Sequence, residues 1–251
     1  MAEMLLTIEN VSKRFGGLLA VDRASLSVAA GRITALIGPN GAGKTTLFSI
    51  ISGFQKADGG RVIYDGADIT GEPPYRLARR GIARTFQIVQ PFAGLTVREN
   101  VAIGAHASHR GRSEALAAAT EIAQSVGLAA QLNAPAATLT VAGRKRLELA
   151  RALAIAPRLL LLDEVLAGLN PSEIRDMIPV IRAVAKRGIT VLMTEHVMQA
   201  VMSLAVHVFV LAEGRVIAQG TPQQVAADPQ VVEAYLGHGA AKRMMAGAAH
   251  G

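Results

Sequence analysis

The sequence predicts an α/β fold: a mainly parallel sheet covered by helices on both faces, with an antiparallel β subdomain and an inserted α-helical subdomain beside it. Three textures along the 251 residues lead there. Short continuous apolar runs at residues 33–37, 159–162, 189–193 and 206–211 alternate with helix-compatible stretches such as 173–185. Strands buried on both faces read this way. Residues 3–30 and 56–69 instead alternate apolar with polar side chains, as in Leu6-Thr7-Ile8 and Leu26-Ser27-Val28. With the Gly and Asp punctuation of residues 59–66, that period of two indicates antiparallel strands and a hairpin. The region from about 96 to 155 is alanine-rich, has helical spacing over 113–126 and 144–153, and holds no convincing strand pattern.

The first core run, Ile33–Ile37, leads directly into Gly38-Pro39-Asn40-Gly41-Ala42-Gly43-Lys44-Thr45-Thr46. This is a complete GxxxxGK[ST] phosphate loop, followed by a helix-compatible run. Strand, glycine-rich turn and helix form the context the motif needs, so the core is expected to be a P-loop NTPase. Its glycines let backbone N–H groups turn inward around phosphate oxygens. Lys44 can reach the β- and γ-phosphates, and the Thr45 hydroxyl can ligate Mg²⁺. The N-terminus of the following helix faces the anion. A nucleoside triphosphate is the expected ligand.

A phosphate loop alone leaves kinases, GTPases, helicases and transport motors open. The four leucines 159–162 end in Asp163-Glu164, placing two carboxylates at the C-terminal edge of a buried strand, where ligands of parallel sheets gather. Asp163 is expected to hold Mg²⁺, directly or through water. Glu164 is expected to orient and polarise the water that attacks the γ-phosphate. His196, in Thr194-Glu195-His196, follows the next strand-like run and is placed to contact and sense the γ-phosphate. Gln87, in Arg84-Thr85-Phe86-Gln87, can touch Mg²⁺ or the water. The plainer reading makes the pair an acidic strand cap and the histidine a packing residue; the phosphate loop upstream favours chemistry.

Composition narrows the setting. With 51% hydrophobic residues the chain can build a sizeable interior. The longest apolar stretch, about residues 201–212, is too short and too polar for a bilayer, which needs roughly 20 residues. The first ten residues carry no basic start or small-residue cleavage site. Cysteine is absent, which removes disulfides and thiolate metal sites. A soluble, cytoplasmic protein is expected. The net charge of +7 is dispersed and aromatics are only 4%, so base-stacking platforms are scarce and no nucleic acid partner is expected.

The ordered set of motifs resembles ATP-binding cassette (ABC) ATPases over essentially the whole chain. It comprises the phosphate loop, Gln87, Asp163-Glu164, Ala167-Gly168-Leu169-Asn170-Pro171 and His196. The resemblance implies a RecA-like core, ATP and Mg²⁺ as cofactors, and a head-to-tail pairing with a second ATPase subunit. It also implies that Phe15 stacks on adenine; read plainly, Phe15 is a core aromatic. The cassette would span residues 1–238 with the helical subdomain inserted at about 90–156, and 239–251 would be a disordered tail. Residues 81–87, 95–101, 167–171 and the end, Val232-Glu233-Ala234-Tyr235-Leu236-Gly237, are similar to branched-chain amino-acid (Liv-type) importer ATPases. Such importers imply two different ATPases, transmembrane permease subunits and a peripheral place on the cytoplasmic face of the inner membrane. Importers of amides, urea or aromatic acids remain alternatives.

The family signature Leu-Ser-Gly-Gly-Gln is altered here to Leu139-Thr140-Val141-Ala142-Gly143. Thr140 keeps the hydroxyl, but Ala142 adds a β-carbon where glycine permits close approach. The composite site that uses this segment is therefore expected to be altered or slow. Asn170 replaces a common acidic residue, and Val165 stands where proline is usual. A DNA-repair or translation ATPase would need a coiled-coil or zinc insertion or a second cassette. An exporter ATPase would share every catalytic residue, and a P-loop kinase would need an acceptor-binding element that is not recognisable here.

Overall fold

The computed structural model describes residues 3–87, 90–109 and 111–236. The tail expected over 239–251 lies outside them. The N-terminal alternation becomes β1 (Met4–Phe15) and β2 (Leu18–Ala29), paired antiparallel with Ile8 opposite Leu26. Leu6, Ile8 and Val11 are buried on one face. On its other edge β1 pairs with β4 (Gly59–Tyr64), which turns through Asp65-Gly66 into β5 (Ala67–Asp68). Asp65 and Gly66 both have positive φ, 50° and 75°, as a tight two-residue hairpin requires.

The described residues place the continuous apolar runs in one six-stranded sheet of order β10-β9-β3-β8-β7-β6. Its strands are β3 (Ile33–Ile37), β6 (Ile82–Arg84), β7 (Leu159–Asp163), β8 (Thr190–Thr194), β9 (His207–Ala212) and β10 (Arg215–Gly220). All pair parallel except the β9–β10 hairpin. Successive side chains leave opposite faces of a strand, so each run feeds two cores. Leu160 and Leu162 join the core under the helices, whereas Leu159 and Leu161 join the one under the antiparallel sheet. Both faces being covered explains why the runs show no alternation.

Helix α1 (Lys44–Ile51) follows the phosphate loop, and α2 (Pro74–Arg79) precedes β6. Between β6 and β7 lie α3 (Val97–Ala105), α4 (Arg112–Ser125) and α5 (Val141–Leu153), packed through Val101, Ala105, Ala115, Ala119 and Leu149. Small alanines allow close helix approach there. Thr96 opens α3 with a capping box to Glu99, and Thr140 caps α5 by accepting from the Gly143 N–H at 3.1 Å. The chain then forms α6 (Pro171–Lys186), α7 (Met198–Leu204), α8 (Pro222–Ala226) and α9 (Pro229–Leu236). Asn170 caps α6, accepting from the N–H groups of Ser172 and Glu173, which gives this departure a structural role.

Several elements differ from the sequence reading. β6 and β10 complete the sheet although neither shows a strand pattern, and α2 is an additional helix. Within the apolar stretch 201–212, α7 ends at Leu204 and the strand read at 206–211 forms as β9 from His207, one residue later, with Val206 48% exposed between them. None of the described helices is long and apolar enough to cross a membrane.

Candidate nucleotide site

The parallel order places three strand ends side by side: β3 leads into the phosphate loop, β7 ends at Asp163 and β8 ends at Thr194 between them. Gly43, at the start of α1, has φ +102°, and a β-carbon there would run into the backbone carbonyl of Ala20. Glycine is thus required twice over at this turn, by its backbone angle and by the neighbouring chain. Lys44 is buried and folds back, donating from Nζ to the carbonyls of Gly38 at 2.8 Å and Pro39 at 3.0 Å. Burial lowers its pKa, while the nearby carboxylates Glu164 and Asp163 oppose that shift. A phosphate would replace the two carbonyls as its partner.

Glu164 occupies the left-handed region at φ +47°, which costs a non-glycine residue energy that the surroundings must offset. Its N–H is held by the Thr194 carbonyl at 3.1 Å. Both carboxylate oxygens are engaged: His196 Nε2–H donates to Oε1 at 2.7 Å and Gln87 Nε2 donates to Oε2 at 2.6 Å. The backbone beneath is tied by Lys145, whose Nζ donates to the carbonyls of Gln87 at 3.1 Å and Glu164 at 3.3 Å. Glutamate, glutamine and histidine therefore form one hydrogen-bonded group, and a water entering it would meet a carboxylate base.

A cavity of about 860 Å³ is lined by Phe15, Asn40, Lys44, Thr45, Glu164 and His196, among others. Gly41, Ala42, Gly43 and Thr46 also line it, while Gly38 is buried and Pro39 is half-buried. Phe15 is 44% exposed at the end of β1, so it is no core aromatic. The Lys13 ammonium lies 5.5 Å from its ring centre, and the rest of the ring borders the cavity.

A second cavity is lined by Thr45, Gln87 and Asp163 together, the three residues expected at Mg²⁺. No cluster of three or more His, Cys, Asp or Glu able to hold a metal occurs among the described residues. One carboxylate, one hydroxyl and one amide oxygen suit a hard cation that takes its remaining ligands from phosphates and water. Asp163 accepts from Thr194 Oγ1 at 2.9 Å on Oδ1 and from Arg84 Nη2 at 2.7 Å on Oδ2. Each oxygen keeps a lone pair, enough to hold a metal-bound water. The residues fit the ion.

Comparison with known proteins shows the family. The profile of the ABC transporter family matches residues 21–167, over half of the chain. The chain belongs to the ABC transporter ATP-binding proteins. Its chemistry is ATP hydrolysis for transport. A second profile, branched-chain amino acid ATP-binding cassette transporter, matches residues 215–241 of the cassette.

Similar proteins include BraF of Pseudomonas aeruginosa, a high-affinity branched-chain amino acid transport ATP-binding protein. It is 39% identical, covering 94% of this cassette and 99% of BraF. LivG of Escherichia coli K12 is 37% identical over the same shares. The probable LivG of Archaeoglobus fulgidus is 39% identical over 93% of this chain and 95% of its own. A crystal structure of a nucleotide-free cassette from an ABC transporter superposes with TM-score 0.86 at 34% identity, covering 94% of this chain and all of that one. A crystal structure of the ADP conformation of an ABC transporter cassette gives 0.85 at 35% identity over the same shares.

The signature segment of the cassette stands apart from its own phosphate loop. Leu139, Thr140, Ala142 and Gly143 line a separate cavity of about 370 Å³ with Gly127 and Glu173. Val141 is 54% exposed at the first turn of α5. Val165 is buried, and nothing in the structure explains its replacing proline. Sequence reasoning gave no role to Arg84 and Thr194, which bond the Asp163 carboxylate, to Lys145, which bonds the carbonyls of Gln87 and Glu164, or to Glu195, which accepts from the Leu166 N–H. The available signal was charge in apolar surroundings: Arg84 closes the apolar pair Ile82-Ala83, and Glu195 follows a buried strand.

Proposed function

We propose that this cassette hydrolyses Mg·ATP to drive import of branched-chain amino acids through transmembrane permease subunits. The one observation that carries the chemistry is Glu164 sharing a cavity with the phosphate loop while Gln87 and His196 hold its two oxygens. The names of its relatives, at 36–39% identity over nearly the full chain, support the substrate class. In this reading the loop of residues 38–46 binds the phosphates through Lys44 and its backbone N–H groups, Pro39 having none, and Phe15 stacks on adenine. Thr45, Gln87 and Asp163 hold Mg²⁺, which neutralises phosphate charge. Glu164 polarises the attacking water, and His196 holds the γ-phosphate. Positioning and electrostatics carry such reactions, without covalent chemistry.

The cassette pairs head to tail with a second, different ATPase on the cytoplasmic face of the inner membrane. The separate cavity at Thr140 and Gly143 supports this, because a signature facing away from its own nucleotide is free to close over a partner's. Ala142 and Val141 make the composite site containing this segment the slower of two. Reconstitution with the membrane subunits and second ATPase tests both points. Leucine uptake should follow ATP hydrolysis, and Glu164→Gln here should cost more turnover than the equivalent change in the partner. ATP-dependent uptake of an amide but not leucine would overturn the substrate class. Equal losses from the two changes would overturn the asymmetry.

A further inference from the structure

The guanidinium of Arg84 sits where two regions of the cassette meet. On one side its Nη2 donates to Asp163 Oδ2 at 2.7 Å, with both side chains almost fully buried, 7% and 4% exposed. Its Nη1 donates to Ser49 Oγ at 3.1 Å and Ser52 Oγ at 3.0 Å, which ties it to the helix that follows the phosphate loop. On the other side the cation is packed against aromatic rings. Its central carbon lies 5.4 Å from the ring centre of Phe86 and 6.0 Å from those of Phe54 and Phe48. Phe54 and Phe86 meet edge to face at 5.4 Å. They are 53% and 42% exposed and line a groove with Leu77, Ile103 and Arg151.

A buried cation held this way fixes the carboxylate it binds. With Oδ2 on Arg84 and Oδ1 on Thr194, Asp163 has one orientation, and its free lone pairs point where those two donors leave room. Outer partners of metal-binding carboxylates set both orientation and affinity. The cation itself depends on its rings, because a partly desolvated guanidinium against aromatic faces gains attraction that is lost when a ring moves. The Arg84 Nε–H is buried and donates to no acceptor among the described residues. Burying an unpaired donor is costly, so the packing of the rings about the cation has to offset it.

We propose that Arg84 is a positioning residue that orients Asp163 toward Mg²⁺ and makes metal binding depend on Phe54 and Phe86 in the groove. The proposal rests on Asp163 serving the metal. It gives the Phe54–Phe86 pair a definite action: moving either ring weakens the packing of the guanidinium and with it the hold on the Oδ2 side of Asp163, while Ser49, Ser52 and Thr194 keep their hydrogen bonds. Ring displacement at the surface is thereby felt at the nucleotide without any contact between the two.

Mn²⁺ binding to the full-length chain, measured by electron paramagnetic resonance at saturating ATP, tests this without requiring hydrolysis. Arg84→Met should weaken Mn²⁺ binding about tenfold, the usual loss when an outer partner of a metal ligand is removed. Arg84→Lys, which keeps the charge but not the fork, should recover part of it. Phe54→Leu should weaken Mn²⁺ binding about threefold in the wild-type background and add nothing to Arg84→Lys. Unchanged Mn²⁺ affinity in both Arg84 variants, or a Phe54 effect undiminished beside Arg84→Lys, would overturn the proposal. A wild-type chain that binds ATP but no Mn²⁺ would instead sink the metal assignment beneath it. If Arg84→Met fails to fold, the Arg84→Lys and Phe54→Leu pair still decides the question.

Discussion

Gln87 donates its side-chain N–H to Glu164 Oε2 at 2.6 Å across a separation of 77 residues. The two backbones are also joined, because Lys145 donates to the carbonyls of both. The side chains proposed to report the nucleotide and to polarise water thus share one support. Any shift of α5 reaches both at once.

Lys145 should therefore matter to turnover although it lines neither nucleotide cavity. It is buried, and burial lowers its pKa. Lys145→Met leaves the part-buried Gln87 carbonyl without its lysine donor, while the Glu164 carbonyl keeps the Ala167 N–H at 3.1 Å, a loss of about 1 kcal/mol. Because Gln87 and Glu164 then drift relative to the phosphates, turnover should fall roughly tenfold to a hundredfold. Lys145→Arg should retain most of it. Melting temperature and kcat of the two variants check this; equal kcat in both would contradict it.

Glu195 should make stability depend on pH. Its carboxyl accepts from the Leu166 N–H at 3.0 Å, and burial raises its pKa from 4.5 to about 7. The unfolded chain loses this proton near pH 4.5, whereas the folded chain keeps it until about pH 7. Stability from this group is therefore full below 4.5, declines between 4.5 and 7, and is lost above, by at most about 3 kcal/mol. Glu195→Gln keeps the acceptor and cannot ionise. Its melting temperature should exceed that of the wild type at pH 8 and lose that advantage at pH 5. Parallel curves from pH 5 to 8 would refute the assignment.

Two glycines of the phosphate loop should respond differently to alanine. At Gly43 the new β-carbon meets the Ala20 carbonyl, and something must shift. At Gly41, with φ +79° and no atom within 4 Å, only the conformational penalty applies, about 1–2 kcal/mol. Gly43→Ala should lose ATP affinity well beyond Gly41→Ala, as titration with a fluorescent nucleotide would show. Equal losses would mean that the close approach to Ala20 does not shape the loop.

The continuous apolar runs made most of the core sheet legible because burial on both faces leaves no room for polar alternation. β6 was not legible, since three residues carry no period and its last one is charged. β10 was hidden for another reason: as a half-buried edge strand it is held by its hairpin with β9. The phosphate loop, Asp163 and Glu164 announced themselves because their chemistry depends on local order in the chain. Arg84 and Lys145 did not. In sequence Lys145 belongs to the basic run 144–146, which reads as a solvated face, and its burial arises only when α5 packs beneath Gln87. Arg84 meets Asp163 across 79 residues, a pairing set by β6 and β7 lying side by side. Phe15 was ambiguous until its exposure placed it at the cavity.

Release of phosphate in a single turnover, followed alongside ATP affinity in the assembled complex, is the most direct test that Glu164 polarises the attacking water. Glu164→Gln keeps the size of the side chain and a hydrogen-bonding oxygen but removes the base. ATP should bind within about twofold of wild type, while phosphate release slows by about 10²–10⁴-fold. Release at the wild-type rate from a fully ATP-bound Glu164→Gln complex would contradict the role given to this carboxylate.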